Sequence, residues 1–350
     1  MKLSVIIPVY NAASTIRSCL DSILSGACDL EVIAVDDGSS DESGTILDQI
    51  AEADARVKVI HQENKGNSLS RDTAIQASSG DYIVFADADD RLEPGALDQL
   101  QKKVSESRPD ILVYGFYTDF LAEHYSLKTQ YPDRVFEHSS EAAEFFLENG
   151  GFYLLWNKIY RAELIRGFHD FPVMKTNGQD FIFNCSVFPR AQKVESSPDI
   201  YYHYEKRLQE TMVTRYLKDG YGNLKRKQDA LDQMLAAYGI SADQVYADVM
   251  LKEYQVYVLN FFVKECTLSR HQKTEEVEKV IYQPAALELI RKASAPDPYS
   301  RLFQRLALKG SASHMVSCYG LLCGFRDSFG PFYRAIRRKI YSGNAAEGGN

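Results

Sequence analysis

Cysteine is sparse and unpatterned in this chain, with six in 350 residues at positions 19, 28, 185, 266, 318 and 323 and no CxxC spacing. That excludes a zinc ribbon and a disulfide framework, and it fits a reducing compartment. Tryptophan occurs once, as Trp156. No apolar run reaches the roughly 18 residues a membrane span requires, and the nearest, 312–325, contains Ser and His. The opening MKLSVIIPVY is too short and wrongly flanked for a signal peptide, because polar, charged sequence follows at once. These absences set the expectation of a cytoplasmic protein. There is no internal repeat, and the only low-complexity stretch is the small, polar terminus AAEGGN.

An excess of positive charge is also missing. The net charge is −8, from 48 acidic and 40 basic side chains, whereas a general nucleic-acid binder is usually basic overall. The total hides an asymmetry. Residues 291–341 carry ten Lys/Arg and two Asp/Glu, a local +8, while residues 1–290 stand at −15. Such a tail invites an anionic partner, and a membrane surface is the first candidate.

What is present is a regular alternation of strand and helix signals over the first 120 residues. Leu3–Val9 is a continuous apolar run, as in a strand buried on both faces. A helix follows over Ser14–Leu24 with Ser14 as its cap, then a strand at Glu31–Val35 and a helix through Ile46, Leu47 and Ile50. Strands at Val57–His61, Tyr82–Ala86 and Ile111–Tyr117 alternate with helices at Leu69–Ala77 and Leu97–Val104. Repeated βα units predict a mostly parallel sheet flanked by helices. Residues 193–204 read as one more strand. From about 215 the sequence turns helical, with Leu251, Tyr254, Val258 and Phe262 at helical spacing, and SAPDPYS at 294–300 is a natural break. The expected organisation is an α/β domain over 1–210, a helical module over 211–293 and a basic tail over 294–350.

Ligands of open α/β sheets bind beyond the carboxyl ends of the strands. Polar groups crowd those positions: Asn11 after Pro8-Val9-Tyr10, Asp36-Asp37-Gly38-Ser39, Asn64-Lys65-Gly66 and Asp87-Ala88-Asp89-Asp90. Any one cluster is ordinary turn chemistry. Three carboxylates within four residues, however, repel one another unless a cation or a raised pKa relieves them. Hard carboxylate oxygens suit Mg²⁺ or Mn²⁺, completed by water and substrate phosphate.

The runs SVIIPVYNAASTIRSCLDSIL, EVIAVDDGSSDES and ENKGNSLSRDTAIQASSGDYIVFADADD, in that order, resemble family 2 glycosyltransferases of the GT-A fold. The likeness is dense over residues 3–118 and thinner through LLWNKIYRAEL, NGQDFIF and IYYHYEKR. It implies inverting transfer of a sugar from a nucleotide-diphosphate donor, usually UDP-linked, to a glycan or lipid-linked acceptor in cell-surface polysaccharide synthesis. It places Pro8, Tyr10, Asn11, Lys65 and Ala88 around the nucleotide sugar, with Asp37 accepting from the base and Arg71 reaching base or phosphate. Asp87 and Asp89 match the DxD motif. Asp89 is the direct ligand of a divalent metal (Mn²⁺ or Mg²⁺), Asp87 lies nearer the ribose, Asp90 shares the metal, and His203 either touches metal or diphosphate or is a hydrogen-bonded structural histidine. The general base falls on Asp180, preceded here by Gln179 where the family has Glu; capping of the next helix is its plain alternative role. Trp156, Lys158 and Gln179 lie on the acceptor side, with simple core packing the alternative role of Trp156.

The segment 329–341 draws as an amphipathic helix, with Phe332, Ile336 and Ile340 on one face and Arg334, Arg337, Arg338 and Lys339 around the rest. That pattern fits peripheral contact with an anionic membrane on its cytoplasmic side, or packing on the acidic body. The helical module either packs internally or forms a homo-oligomer. A nucleotidyltransferase on a similar sheet and a non-catalytic sugar-nucleotide scaffold are the competing functional readings.

Overall fold

The computed structural model describes residues 1–166, 178–207, 215–240 and 244–328. The basic segment 329–341 lies outside the described residues, as does part of the NGQDFIF run. The described residues group into two units, one of those up to 207 with 226–240 and one of 215–225 with 244–328. The 294–300 break therefore falls inside the second unit and does not begin a third, because the helices on both sides of it share one core.

The first unit is built on β1 (Leu3–Val9), β2 (Leu30–Asp36), β3 (Val57–His61) and β4 (Tyr82–Phe85), paired in parallel in the order β3-β2-β1-β4. β1 and β2 are buried at every position, which is why they read as unbroken apolar runs. The edge strand β3 is only partly buried. α1 (Ile16–Leu24), α2 (Ser43–Ala53), α3 (Asn67–Ala77) and α4 (Ala96–Ser107) supply the crossovers. The Ser14 cap is not made. Thr15 and Ile16 both donate their N–H to the Ala12 carbonyl at 2.9 Å, so a turn occupies 12–15 and the helix starts later.

The sheet continues through β5 (Arg91–Leu92), β6 (Ile111–Phe120), β7 (Tyr125–Thr129), β8 (Arg134–Phe136), β9 (Lys158–Arg161) and β10 (Val194–Lys206). β9 inserts antiparallel between β4 and β6, while β6 and β10 pair in parallel. The sequence pattern does not show β9, because a lysine stands where a buried strand normally has an apolar residue. α5 (Ser139–Glu148), α6 (Ala162–Ile165) and α7 (Gln179–Val187) complete the layer.

At the opposite end of the sheet from the strand-end clusters, Glu31 is buried and accepts from Lys2 Nζ at 2.9 Å, Lys58 Nζ at 2.8 Å and Ser4 Oγ at 2.7 Å. Burial works against its charge, but the two ammonium groups and the Ser79 and Ser4 donors outweigh it and hold the carboxyl well below the usual range. A depressed folded pKa gives stability that is present above about pH 4.3 and lost as pH falls. Both lysines are partly exposed, so Glu31→Gln is expected to cost about 1–3 kcal/mol at neutral pH. The difference from the parent should shrink in urea titrations at acid pH; a pH-independent difference would contradict the ion-pair account.

α8 (Gly220–Tyr238) runs from the second unit into the first. The second unit also holds α9 (Gln244–Leu259), α10 (Arg270–Ile281), α11 (Pro284–Lys292), α12 (Pro298–Lys309) and α13 (Ala312–Ser328). Leu251, Tyr254 and Val258 are buried on α9, but Phe262 lies beyond its end in a short 3-10 turn. α10 starts on a capping box between Ser269 and Gln272, and α12 on Asp297, whose carboxylate accepts from the Tyr299 and Ser300 N–H groups. No described helix is long and apolar enough to cross a membrane.

Candidate active site

The strand-end clusters of β1, β2 and β4 meet at the carboxyl edge of the sheet. β1 delivers buried Pro8 and then Tyr10, which is 55% exposed. Asn11 adopts a left-handed φ of 51°, a conformation asparagine tolerates, and its Oδ1 accepts from the Ser40 N–H at 2.8 Å. Asn11 thereby ties the end of β1 to the loop after β2. Asp37, 3% exposed, accepts from Gln62 Nε2 at 2.7 Å, the Lys65 N–H at 2.9 Å and the Gly66 N–H at 2.8 Å. A carboxylate has about four acceptor sites. Asp37 thus positions the loop before α3 and keeps about one site for a ligand donor. The Lys65 side chain is exposed.

Arg71, on α3, is the centre of the arrangement. Its guanidinium is 3% exposed, with one terminal nitrogen 2.8 Å from Asp87 Oδ1 and the other 2.8 Å from Asp180 Oδ1. Asp87 ends the β4 strand, and Asp180 sits in the first turn of α7. A single planar fork therefore joins the DxD motif to the residue expected to act as base. With both ends of its fork taken by carboxylates, Arg71 in this arrangement does not reach a base or phosphate, contrary to the sequence expectation. Burial opposes the Arg71 charge, yet Asp180 and Asp87 raise its pKa above the ordinary arginine value.

Asp180 does not cap α7. Gly178 is the residue before the helix, at φ 97°, and no side chain caps it. The left-handed φ favours glycine at 178, and a Cβ there would lie 2.1 Å from Lys227 Cε and push the end of that lysine aside. Burial pushes the Asp180 carboxyl up; Arg71 pulls it down, and the neighbouring Asp87 charge pushes up again.

In the DxD turn, Ala88 is buried and the Asp90 N–H closes onto the Asp87 carbonyl at 3.1 Å. Asp89 is exposed as a residue, and apart from its own backbone N–H no described residue hydrogen-bonds its carboxylate. Protein packed around the carboxylate strips part of its water, and this and the Asp87 charge push its pKa up. Asp90 differs. It is 4% exposed, and its oxygens accept from Tyr202 OH and the Glu205 N–H, both at 2.8 Å. Tyr202 OH also accepts from the Asp87 N–H at 3.0 Å, so one tyrosine braces the whole turn. Asp90 is therefore a structural anchor, and sharing of a metal is not its role in this geometry.

Three further expectations change. Both ring nitrogens of His203 are engaged, Nδ1 at 2.7 Å from Asp119 and Nε2 at 2.8 Å from Glu93, leaving none for a metal. Trp156 is 4% exposed and stacks on Tyr202 at 4.5 Å and Tyr204 at 5.4 Å, so it packs the core and offers no ring face to a sugar. Lys158 is fully buried and donates to the Gly151 and Leu154 carbonyls and Asn157 Oδ1; burial drives its pKa well down. Gln179 is buried as well. Sequence reasoning missed Tyr202, whose only signal is its place in the aromatic run 201–204.

A mostly parallel sheet flanked by helices, with antiparallel β9 inserted beside β4, is the fold of a GT-A glycosyltransferase. The family profile described as Glycosyl transferase family 2 matches residues 4–173. EpsH of Bacillus subtilis (strain 168), named as a glycosyltransferase, is 31% identical over 271 residues, covering 75% of this chain and 74% of EpsH. The uncharacterized glycosyltransferase EpsJ of the same strain is 28% identical over 303 residues, covering 85% of this chain and 87% of EpsJ. Glycosyltransferase GlyA of Streptococcus pneumoniae serotype 4 is 34% identical over 204 residues, 55% of this chain, which spans only 29% of GlyA. Among solved structures, residues 1–349 of S. aureus TarS in complex with UDP-GlcNAc share the fold with a TM-score of 0.66 at 20% identity, over 94% of this chain and 92% of that one. The chain belongs to glycosyl transferase family 2.

Proposed function

We propose that this protein is an inverting glycosyltransferase that moves a sugar from a nucleotide-diphosphate donor, UDP-linked, to a glycan or lipid-linked acceptor of a cell-surface polysaccharide. The observation that carries the reading is the Asp87–Arg71–Asp180 bridge, which sets a donor-side and an acceptor-side carboxylate on opposite arms of one fixed guanidinium. The UDP-GlcNAc-bound relative and a poly(ribitol-phosphate) beta-glucosyltransferase 30% identical over 225 residues support the donor and polymer classes.

In this reading Tyr10 and the remaining acceptor site of Asp37 receive the base. Asp180 takes the proton of the attacking acceptor hydroxyl as its oxygen bonds the anomeric carbon. The bond from that carbon to the diphosphate oxygen breaks, and the electron pair leaves with the nucleotide. Asp89 and Asp87 fit a divalent cation: the Asp89 carboxylate has only its own backbone N–H as a described donor, the two crowd each other, and two carboxylates with waters and phosphate suffice for Mg²⁺ or Mn²⁺. Bound there, the cation would neutralise charge on the departing diphosphate. Arg71 keeps Asp180 ionised and in place.

A thermal-shift screen of UDP, UDP-GlcNAc, UDP-glucose, UDP-galactose and GDP-mannose with Mn²⁺ tests the donor class. Saturating UDP or a UDP-sugar should raise the unfolding midpoint by several degrees. Stabilisation by GDP-mannose alone would overturn the uridine assignment, and no stabilisation by any of the five would overturn the reading as a whole.

A further inference from the structure

The second unit carries a surface that transfer chemistry does not use. Ala312, Met315, Val316, Tyr319 and Cys323 mark the inner face of α13. At about 100° per residue, Leu321 points directly away from them. It is 76% exposed and its neighbour Leu322 is 42% exposed, and no other large hydrophobic residue described is as open as Leu321. Alongside, α12 exposes Arg301, Arg305 and Lys309 in one row at i, i+4 and i+8. Phe303 and Tyr319 meet ring to ring at 6.2 Å, and only Gly310 and Ser311 join the two helices. That contact packs the two helices together through their buried faces and leaves the cationic row and the leucine pair on their exposed ones. No described carboxylate pairs with any of the three cations; Arg301 donates to the Pro296 carbonyl.

We propose that the outer face of α12 and α13 docks on an anionic lipid surface, with the leucine pair entering the headgroup layer and the cationic row facing it. Charge decides the occupant. The chain beyond α13 carries Arg334, Arg337, Arg338 and Lys339 and no acid until Glu347, so folding it over this row would set cation against cation. A second copy related by a two-fold axis would do the same. An apolar pair flanked by a cationic helix face is instead the composition of an interfacial contact on negatively charged lipid. The docking needs neither donor nor acceptor, so it stands or falls separately from the transfer reading.

Co-sedimentation of the full chain with phosphatidylcholine vesicles, with and without phosphatidylglycerol, tests this at low salt. Binding is expected only with phosphatidylglycerol and should fade as salt is added. Arg301→Glu, Arg305→Glu and Lys309→Glu together should weaken it by about 100-fold or more, from roughly fivefold per cation removed. Leu321→Ser with Leu322→Ser should weaken it roughly tenfold. A chain ending at Ser328 should keep phosphatidylglycerol-dependent binding. All variants should unfold at the parent's urea midpoint, since the substituted side chains are exposed. The proposal is overturned if the intact chain ignores anionic vesicles, if the triple variant binds like the parent, or if ending the chain at Ser328 removes all binding. It is also overturned if the leucine variant changes only the oligomeric state, which would make the face a contact between copies.

Discussion

Asp180→Asn is expected to lower the turnover number for sugar transfer by about 10²–10⁴-fold, the range a positioned general base supplies. The amide is isosteric and still accepts a hydrogen bond from Arg71, so the fold and the nucleotide affinity should hold. The two measurements are UDP release under saturating donor and acceptor, and the thermal shift with UDP. Loss of both would mean that the substitution disturbs the site as a whole; retention of full transfer would remove Asp180 from the role of base. The parent's pH profile carries a second signature. Burial raises the Asp180 pKa, and the base works only when ionised. The turnover number should therefore rise with pH through that raised value and level off above it.

Arg71→Met carries the other large effect, because it removes the one cation between Asp87 and Asp180. Breaking a fully buried pair costs about 3–5 kcal/mol. The two carboxylate side chains keep 28% and 24% exposure, so about 2–4 kcal/mol is expected from urea unfolding at neutral pH. The loss should shrink as pH falls and Asp180 protonates. Without the guanidinium the Asp180 pKa rises further, so residual transfer should shift its rise to higher pH. Arg71→Lys should restore part of the stability but little of the transfer, since an ammonium cannot make the two parallel contacts of a planar fork. A variant as stable and active as the parent would show that the bridge is incidental.

These two residues mark where the sequence was legible and where it was not. Asp87 and Asp89 stand out in the sequence by their spacing at a strand end, a local feature, whereas Asp180 enters only through the family resemblance. The bridge was not visible. Arg71 reads as a ligand contact in the sequence, and nothing local says that two carboxylates 16 and 109 residues away will take both ends of its fork. Asp90, His203, Trp156 and Lys158 failed for a common reason. Each has the right chemistry for a site, and the first three are consumed by partners distant in the chain: Tyr202 for Asp90, Asp119 and Glu93 for His203, two stacked tyrosines for Trp156. For Lys158, the carbonyls of a nearby turn do the same.

The cysteines, scarce at the outset, proved consistent with that division. Cys19 and Cys28 are unpaired and buried in the core of the first unit, as small apolar residues are. By itself the sequence determined the parallel half of the sheet, the edge where the site lies and the acidic motifs on it, because hydrophobic period and turn residues act over a few positions. Tertiary structure alone decided that β9 inserts antiparallel with a buried lysine as its first residue. It also decided which carboxylates stay open and which are spent as braces. A polar side chain's role is set by its nearest partners in space, and burial makes that pairing obligatory.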